Sequence, residues 1–295
     1  MESDAAVLVT GSSGFTGRHV LSALTARGLR PMPLQGRLDD VEGIVRQLRA
    51  SGAKRVLHLA GMAVTHNVPP LAAYDANVMG TASLLTALSL VSGQLDLVVL
   101  ASTATIYSPL VGQVVVDEST PVFATNHYGA SKLAMETVAG QFRHELPIVI
   151  VRPFNYTGIG QNGSFLIPKI VGAFQTGQRE LVMGNQHVTR EFNDVRYVAQ
   201  VYADLLAAVR PVNGTVNLCT GRGVSVSEVL QLCTELSGHE VHARTDPMFV
   251  RTGEPSKLIG NPSRLGSLVS TRNMYSIRDT LAWMLSVTPA AAEER

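Results

Sequence analysis

The stretch VLVTGSSGFTGRHV, Val7–Val20, decides the fold. Four residues of strand character run into a turn with glycines at Gly11, Gly14 and Gly17, and an amphipathic helix opens behind it. A strand, a glycine turn and a helix in that order begin a β-α-β unit. The first glycine permits a tight turn, the second lets backbone approach a pyrophosphate, and the third lets the helix pack close to the strand. The N–H groups at the start of the helix then face an anion. Gly11, Gly14, Phe15, Thr16 and Gly17 are therefore candidate dinucleotide contacts.

The same rhythm continues downstream. GRHVLSALTARG reads as a helix ended by Gly28, RPMPLQG as a Pro-interrupted second strand, and DDVEGIVRQLRASG as a helix ended by Gly52. RVLHLAG is a third strand, AYDANVMGTASLLTALSLVSG one long helix, and LDLVVLAS a fourth strand. SKLAMETVAGQFRHE is a further helix and PIVIVRPFN a fifth strand. Strands separated by helices imply an α/β fold, a doubly wound parallel sheet with helices on both faces. Such sheets bind ligands beyond the carboxyl ends of their strands. After Tyr156 the pattern turns irregular. We therefore expect residues 1–156 to form the dinucleotide-binding domain. Residues 157–288 are expected to form mainly a substrate-binding lobe, with some elements returning to the first domain, and 289–295 a frayed tail.

The bulk composition excludes several functions. The chain has 295 residues, 45% hydrophobic, with a formal net charge of +1. That balance gives no bulk electrostatic pull toward nucleic acid or an anionic membrane. No apolar run approaches the ~18 residues of a spanning helix. The opening MESDAAVLVTG is acidic and goes straight into a strand, so neither a signal nor a transit peptide is expected, and the cytoplasm is the expected compartment. Two cysteines, Cys219 and Cys233, cannot build a disulfide framework and read as small buried residues. His239 and His242 stand close together without a surrounding ligand set, so no metal is expected.

HYGASK places Tyr128 and Lys132 four residues apart, on one helical face. An ammonium near a phenol favours the phenolate, so Lys132 is expected to bring Tyr128 below its ordinary range near 10. Thr103, in ASTATIYS at the end of the fourth strand, can hydrogen-bond the same substrate oxygen. The three read as a proton relay at a carbonyl or alcohol: Tyr128 as acid and base, Lys132 as tuner and ribose anchor, Thr103 as orienter. After the second strand, where an acid usually holds the adenosine ribose, stand Gln35 and then Arg37. Arg37 either pairs with a 2′-phosphate, which favours NADPH over NADH, or lies on a solvated loop.

With these residues in view the chain resembles the extended short-chain dehydrogenase/reductases that act on nucleotide sugars. The carriers are TGSSGFTG, LHLAG, NVMGT, STATIY, YGASK, RPFN and REFNDV, spread over nearly the whole length. The resemblance implies a Rossmann domain and an NADPH or NADH cofactor. It implies Thr103, Tyr128 and Lys132 as the catalytic set, with Tyr128 and Lys132 also touching the cofactor. Arg37, Leu38, Asp39, Leu59, Ala60 and Gly61 would lie along the cofactor, and Asn155 of RPFN would contact the sugar nucleotide.

In the family's 4,6-dehydratases an acid stands two residues beyond the catalytic Thr and protonates the leaving C6 hydroxyl. Here that position is Thr105, and an unperturbed alcohol cannot supply the proton efficiently. The 3,5-epimerising relatives use a cysteine near this loop, and both cysteines here are far away in sequence. Hydride transfer at C4 remains. SFLIPKI, GNQHVTREFNDV and DPMFVRTGEPSKLIGNPSRL resemble segments of GDP-mannose 4,6-dehydratases and GDP-4-keto-6-deoxy-mannose reductases. By that match Arg190 and Arg251 would grip the diphosphate, Lys169 would assist at the phosphates or sugar, and Glu254 would hold the nucleoside ribose. Ser108, His127 and Tyr156 depart from the family pattern at the substrate pocket. The expected function is NAD(P)H-dependent 4-reduction of a GDP-linked 4-keto-6-deoxyhexose to a GDP-6-deoxyhexose such as GDP-rhamnose. The rivals are a 4-epimerase that retains NAD and a non-catalytic cofactor-binding scaffold. Relatives often dimerise through a four-helix bundle, which here would use ANVMGTASLLTALSL and KLAMETVAGQF.

Overall fold

Alternate residues of the first strand, β1 (Ala6–Thr10), go to opposite faces, and both faces are covered. Val7 and Val9 enter one core and Leu8 another. The computed structural model describes residues 5–63, 69–108, 112, 114–208, 214–250, 255–270 and 274–287. After β1 come α1 (Phe15–Ala26), β2 (Arg30–Pro33), α2 (Val41–Ser51) and β3 (Arg55–His58). Then follow α3 (Pro70–Tyr74), α4 (Gly80–Ser89), β4 (Leu97–Ala101), the short β5 (Val115–Val116), α5 (His127–Gln141) and β6 (Ile148–Pro153). The second part has β7 (Tyr156–Thr157), α6 (Leu166–Gln175), β8 (Glu180–Met183), β9 (Thr189–Arg190), β10 (Asn193–Asp194), α7 (Val195–Ala207) and β11 (Gly214–Leu218). It ends with β12 (Val224–Ser225), α8 (Val226–Ser237), β13 (His242–Thr245), β14 (Lys257–Gly260), α9 (Ser263–Leu268) and α10 (Ile277–Leu285).

Six strands form the main sheet in the order β11-β6-β4-β3-β1-β2, every pair parallel. The fold is therefore the doubly wound Rossmann type expected. The chain goes from β1 to β2 on one side, then crosses to β3 on the other. A crevice opens at such a reversal, beyond the carboxyl ends of β1 and β3. One face buries Val20 and Leu24 of α1 with Val198, Tyr202 and Leu206 of α7. The other buries Ile44 and Leu48 of α2, Leu84 and Leu88 of α4, and Met135 of α5. So α7 and β11, both after Tyr156 in the chain, pack into the main sheet. A third core holds Ile170, Phe174, Val229, Cys233 and Leu281 of α6, α8 and α10.

Two local readings change. The helix expected as one piece from Ala73 is broken by a π-helical turn at Asp75–Met79, between α3 and α4. Its widened ring has a visible cause. Asn77 is driven inward, where its amide bonds the Met62 N–H, the Met62 carbonyl and the Ser131 hydroxyl. The helix of YGASK begins at His127, earlier than its apolar run suggests, because Asn126 caps it by accepting from the Gly129 N–H.

Glu191, wholly buried between β9 and β10, joins the second part of the chain to itself. One oxygen accepts from the N–H groups of Gly260 and Gly221, the other from the N–H and hydroxyl of Thr220 and from the Asn193 amide. Replacing it by Gln points an NH2 at donors. We expect Glu191→Gln to lower unfolding free energy by about 3 kcal/mol in urea titration. A loss under ~0.5 kcal/mol would show that the network is not structural.

Candidate active site

The glycine turn sits at the reversal point and fits a pyrophosphate. Gly11 has φ +68°, and a Cβ there would stand 2.6 Å from the Ala60 nitrogen. A Cβ on Gly17 would overlap the Gly11 carbonyl oxygen. Gly14 meets nothing nearer than that oxygen at 3.2 Å and is exposed, which leaves the turn open to a ligand. The stretch Leu59–Ala60–Gly61 runs beside it: Leu59 N–H bonds the Thr10 carbonyl, and Ala60 N–H bonds the Thr10 hydroxyl. The structure therefore brings Gly11, Gly14, Phe15, Thr16, Gly17, Leu59, Ala60 and Gly61 together. Gly61 is exposed, and a Cβ on it would come within 2.6 Å of Asn77 Oδ1 and 3.2 Å of Lys132 Nζ. The missing side chain at position 61 thus lets Asn77 and Lys132 approach its backbone closely.

Arg37 is held otherwise than as a waiting phosphate partner. Its guanidinium makes a fork with Asp39 at 2.9 Å, on a loop where the two side chains are 84% and 61% exposed. Leu38 packs under Gly80, its Cδ1 lying 3.1 Å from where a Cβ would stand. Of the two sequence readings of Arg37, the solvated loop is the one observed.

The catalytic candidates converge at the carboxyl end of β4. Lys132 Nζ donates to the Ala101 carbonyl at 2.9 Å, and burial takes its ammonium down to about 8, opposed by Glu136 one turn on. Thr103 caps a 3-10 turn at Ala104–Ile106: its oxygen accepts from the Thr105 N–H at 3.2 Å and lies 2.9 Å from the Thr105 hydroxyl. Burial pushes the Tyr128 phenol up to about 12, neighbouring Tyr156 adds to the rise, and a hydrogen bond with Thr103 opposes it. The expectation that Lys132 lowers this phenol is thus corrected. Lys132 donates to a backbone carbonyl and is not among the groups that shift the phenol, of which burial is the largest.

Around these groups the polar side chains are paired. Glu136, on the same face of α5 as Tyr128 and Lys132, forms a fork with Arg152 of β6 at 3.0 and 2.6 Å. Arg152 also donates to the Tyr107 hydroxyl, which donates to Asn217 of β11 at 2.6 Å. The Ser102 hydroxyl is buried without a partner. Tyr156, noted in the sequence only as a departure, lies 2.8 Å from the Thr16 hydroxyl and stacks on Phe15. His127 meets Tyr74 at 3.3 Å. Asn155 is exposed at the end of β6, its carbonyl holding the Asn193 N–H.

The expected nucleotide residues lie in the second part. Lys169 donates to the Val182 carbonyl at 2.8 Å and sits 5.0 Å over the Phe249 ring. Arg190 is 6% exposed and donates to the carbonyls of Thr189 and Pro255. Arg251 and Glu254 fall outside the described residues. Among the described residues no helix is long and apolar enough to cross a membrane.

A sequence profile described as GDP-mannose 4,6 dehydratase matches residues 32–284. The chain is an extended short-chain dehydrogenase/reductase of that family. This family member is 32% identical over 266 residues to the GDP-6-deoxy-D-talose 4-dehydrogenase of Aggregatibacter actinomycetemcomitans, covering 88% of this chain and 89% of the relative. It is 30% identical to a UDP-glucose 4-epimerase of Halalkalibacterium halodurans, over 94% of each chain. The solved structure of RMD from Pseudomonas aeruginosa complexed with NADPH superposes with a TM-score of 0.83 at 25% identity, covering 96% of this chain and 97% of that one.

His58 of the family's HLAG segment tests how tightly this centre is packed. Its ring lies between the Thr10 and Thr81 hydroxyls at 2.7 and 2.9 Å, and burial, with help from Lys132, takes it from 6.5 to about 3. The unfolded chain therefore binds a proton that the folded chain refuses. Stability from this group is complete above pH 6.5 and is lost as pH falls toward 3, by about 1.4 kcal/mol per pH unit. Urea unfolding at a series of pH values should show that slope, and His58→Asn should remove it. An unchanged slope in the variant refutes the assignment.

Proposed function

We propose that this chain reduces the 4-keto group of a GDP-linked 4-keto-6-deoxyhexose, giving a GDP-6-deoxyhexose such as GDP-rhamnose. The enzyme is an NAD(P)-dependent oxidoreductase acting on a nucleotide sugar. The observation that carries the reaction is the hydroxyl pair Thr103–Thr105 beside Tyr128, with Thr105 where dehydration needs an acid. Likeness to a GDP-6-deoxy-D-talose 4-dehydrogenase supports both the base and the position of the chemistry.

Bound NAD(P)H supplies the hydride that reaches C4. Tyr128 then gives its phenolic proton to the C4 oxygen, and a phenol kept protonated by burial is suited to giving one. Thr103 orients that oxygen. Lys132, fixed on Ala101 beside Gly61, would hold the cofactor ribose and would supply positive charge when the phenolate forms. The glycine turn takes the pyrophosphate on backbone N–H groups. Lys169, Arg190, Arg251 and Glu254 are proposed for the GDP end. Lys169 beside Phe249 and Arg190 beside Pro255 flank the segment that carries the other two.

Two measurements test this reading. Tyr128→Phe should lower kcat at least ~100-fold while dinucleotide affinity stays within about threefold; unaltered turnover would defeat the mechanism. In thermal shift with matched concentrations of GDP, UDP and dTDP, GDP should raise the melting temperature most, by mass action. A larger shift with UDP would move the proposal to the 4-epimerase reading, which the Halalkalibacterium halodurans relative favours.

A further inference from the structure

A helix that holds an anion at its N-terminus must leave its first N–H groups open, yet a helix end without partners frays. In α1 the first bond within the helix runs from the Arg18 N–H to the Gly14 carbonyl at 3.1 Å. The N–H groups of Phe15, Thr16 and Gly17 therefore have no partner inside it. A capping side chain would occupy those same groups. The N-cap here is Gly14, which has no side chain, and the first turn carries no acid. The helix end is braced from outside instead. The Tyr156 hydroxyl lies 2.8 Å from the Thr16 hydroxyl, and the Tyr156 ring stacks on Phe15 with centroids 6.0 Å apart and planes at 10°. Next along the helix, Arg18 donates to the Gly160 carbonyl at 3.3 Å, and the His19 ring meets the Ile159 carbonyl at 3.1 Å. Phe15, Thr16, Arg18 and His19 are thus all held, through their side chains, by the one segment 156–160.

We propose that Tyr156 is a positioning residue for the dinucleotide: by gripping the side chains of Phe15 and Thr16 it keeps the first turn of α1 helical while the N–H groups of that turn stay open to the pyrophosphate. The inference rests on dinucleotide binding at the glycine turn and not on which sugar is reduced. Tyrosine supplies both holds at once, the ring for Phe15 and the hydroxyl for Thr16. Either hydroxyl can donate in the Thr16–Tyr156 pair, and the brace is the same in both directions. A turn already ordered before the ligand arrives loses less freedom on binding, and that difference appears as affinity. Burial raises the Tyr156 phenol above its ordinary range, opposed by the bond with Thr16. It therefore meets the pyrophosphate as a neutral group and not as a repelling phenolate. Tyr156 is also one of the positions at which the chain departs from the family pattern, so the glycine turn alone does not imply this brace.

The test is the Kd of the whole chain for NADPH and for NADH, read by titration calorimetry with no sugar present. Tyr156→Phe keeps the ring and loses the hydroxyl, and its Kd should rise at least about threefold. Thr16→Val should give the same rise, while Thr16→Ser, which keeps a hydroxyl, should stay within about twofold of wild type. Should the valine branch lower the melting temperature, Thr16→Ala makes the same comparison. The double variant Tyr156→Phe/Thr16→Val should bind within about twofold of either single variant, because the two changes remove one shared bond. Tyr156→Leu loses the stack on Phe15 as well and should weaken binding roughly tenfold. ADP-ribose, which carries the pyrophosphate without the nicotinamide, should weaken by the same factors as the intact dinucleotide. A smaller rise in Tyr156→Phe overturns the proposal. So do losses that multiply in the double variant, and so does a weakening seen with the dinucleotide but absent with ADP-ribose. A wild-type chain that binds neither dinucleotide overturns it together with the cofactor site. Failure to reduce GDP-4-keto-6-deoxymannose, assayed separately, counts against the reductive reading alone.

Discussion

The bond from Lys132 to the Ala101 carbonyl fastens the catalytic helix to the middle of the sheet, and the rest of the site is built around it. Tyr128, Lys132 and Glu136 recur every four residues along one face of α5. Lys132 holds β4, Glu136 holds Arg152 of β6, and through Tyr107 the contact reaches Asn217 of β11. Three neighbouring strands are thus tied to one helical face, and Tyr128 at its N-terminal end has little freedom to wander. Holding reacting groups in place before substrate arrives is where much of an enzyme's advantage lies. The same burial that fixes the phenol raises its proton affinity, so rigidity and acid strength are set by one cause.

Much of the site could be read from residue types because backbone geometry demands them. Gly11 and Gly17 lie where a Cβ would collide with backbone, and the strand, turn and helix order showed them. Tyr128 and Lys132 follow from helical spacing taken together with the glycine turn and the hydroxyl-rich strand end that precede them. What stayed hidden depends on tertiary approach. Nothing in GTVNL says that this strand returns to the outer edge of the parallel sheet beside β6. The part played by Asn77 was not visible either, since a π-turn leaves no periodicity to detect. Arg37 illustrates the other limit: its pairing with exposed Asp39, two residues away, is a local contact that sequence position does not reveal.

The sequence profile that the chain matches is described as a 4,6 dehydratase, and Thr105 is one of several positions, with Ser108, His127 and Tyr156, at which this chain departs from the family pattern. Thr105 neither adds charge nor fills the crevice. Its hydroxyl lies 2.9 Å from that of Thr103. The residues proposed for the nucleotide are separated from the catalytic candidates along the chain. They stand on α6, β9 and the segment before β14, all in the second part of the chain.

The widened turn at Asp75–Met79 has a consequence for chain length. A regular helix from Pro70 to Ser89 would meet the same end points with one residue fewer. The surplus residue turns the Asn77 amide against the Met62 backbone, beside Gly61. Deleting it would make the helix regular and take the Asn77 amide away from the Met62 backbone. Local regularity and the Asn77 contact are thus in conflict here, and the fold keeps the irregular helix.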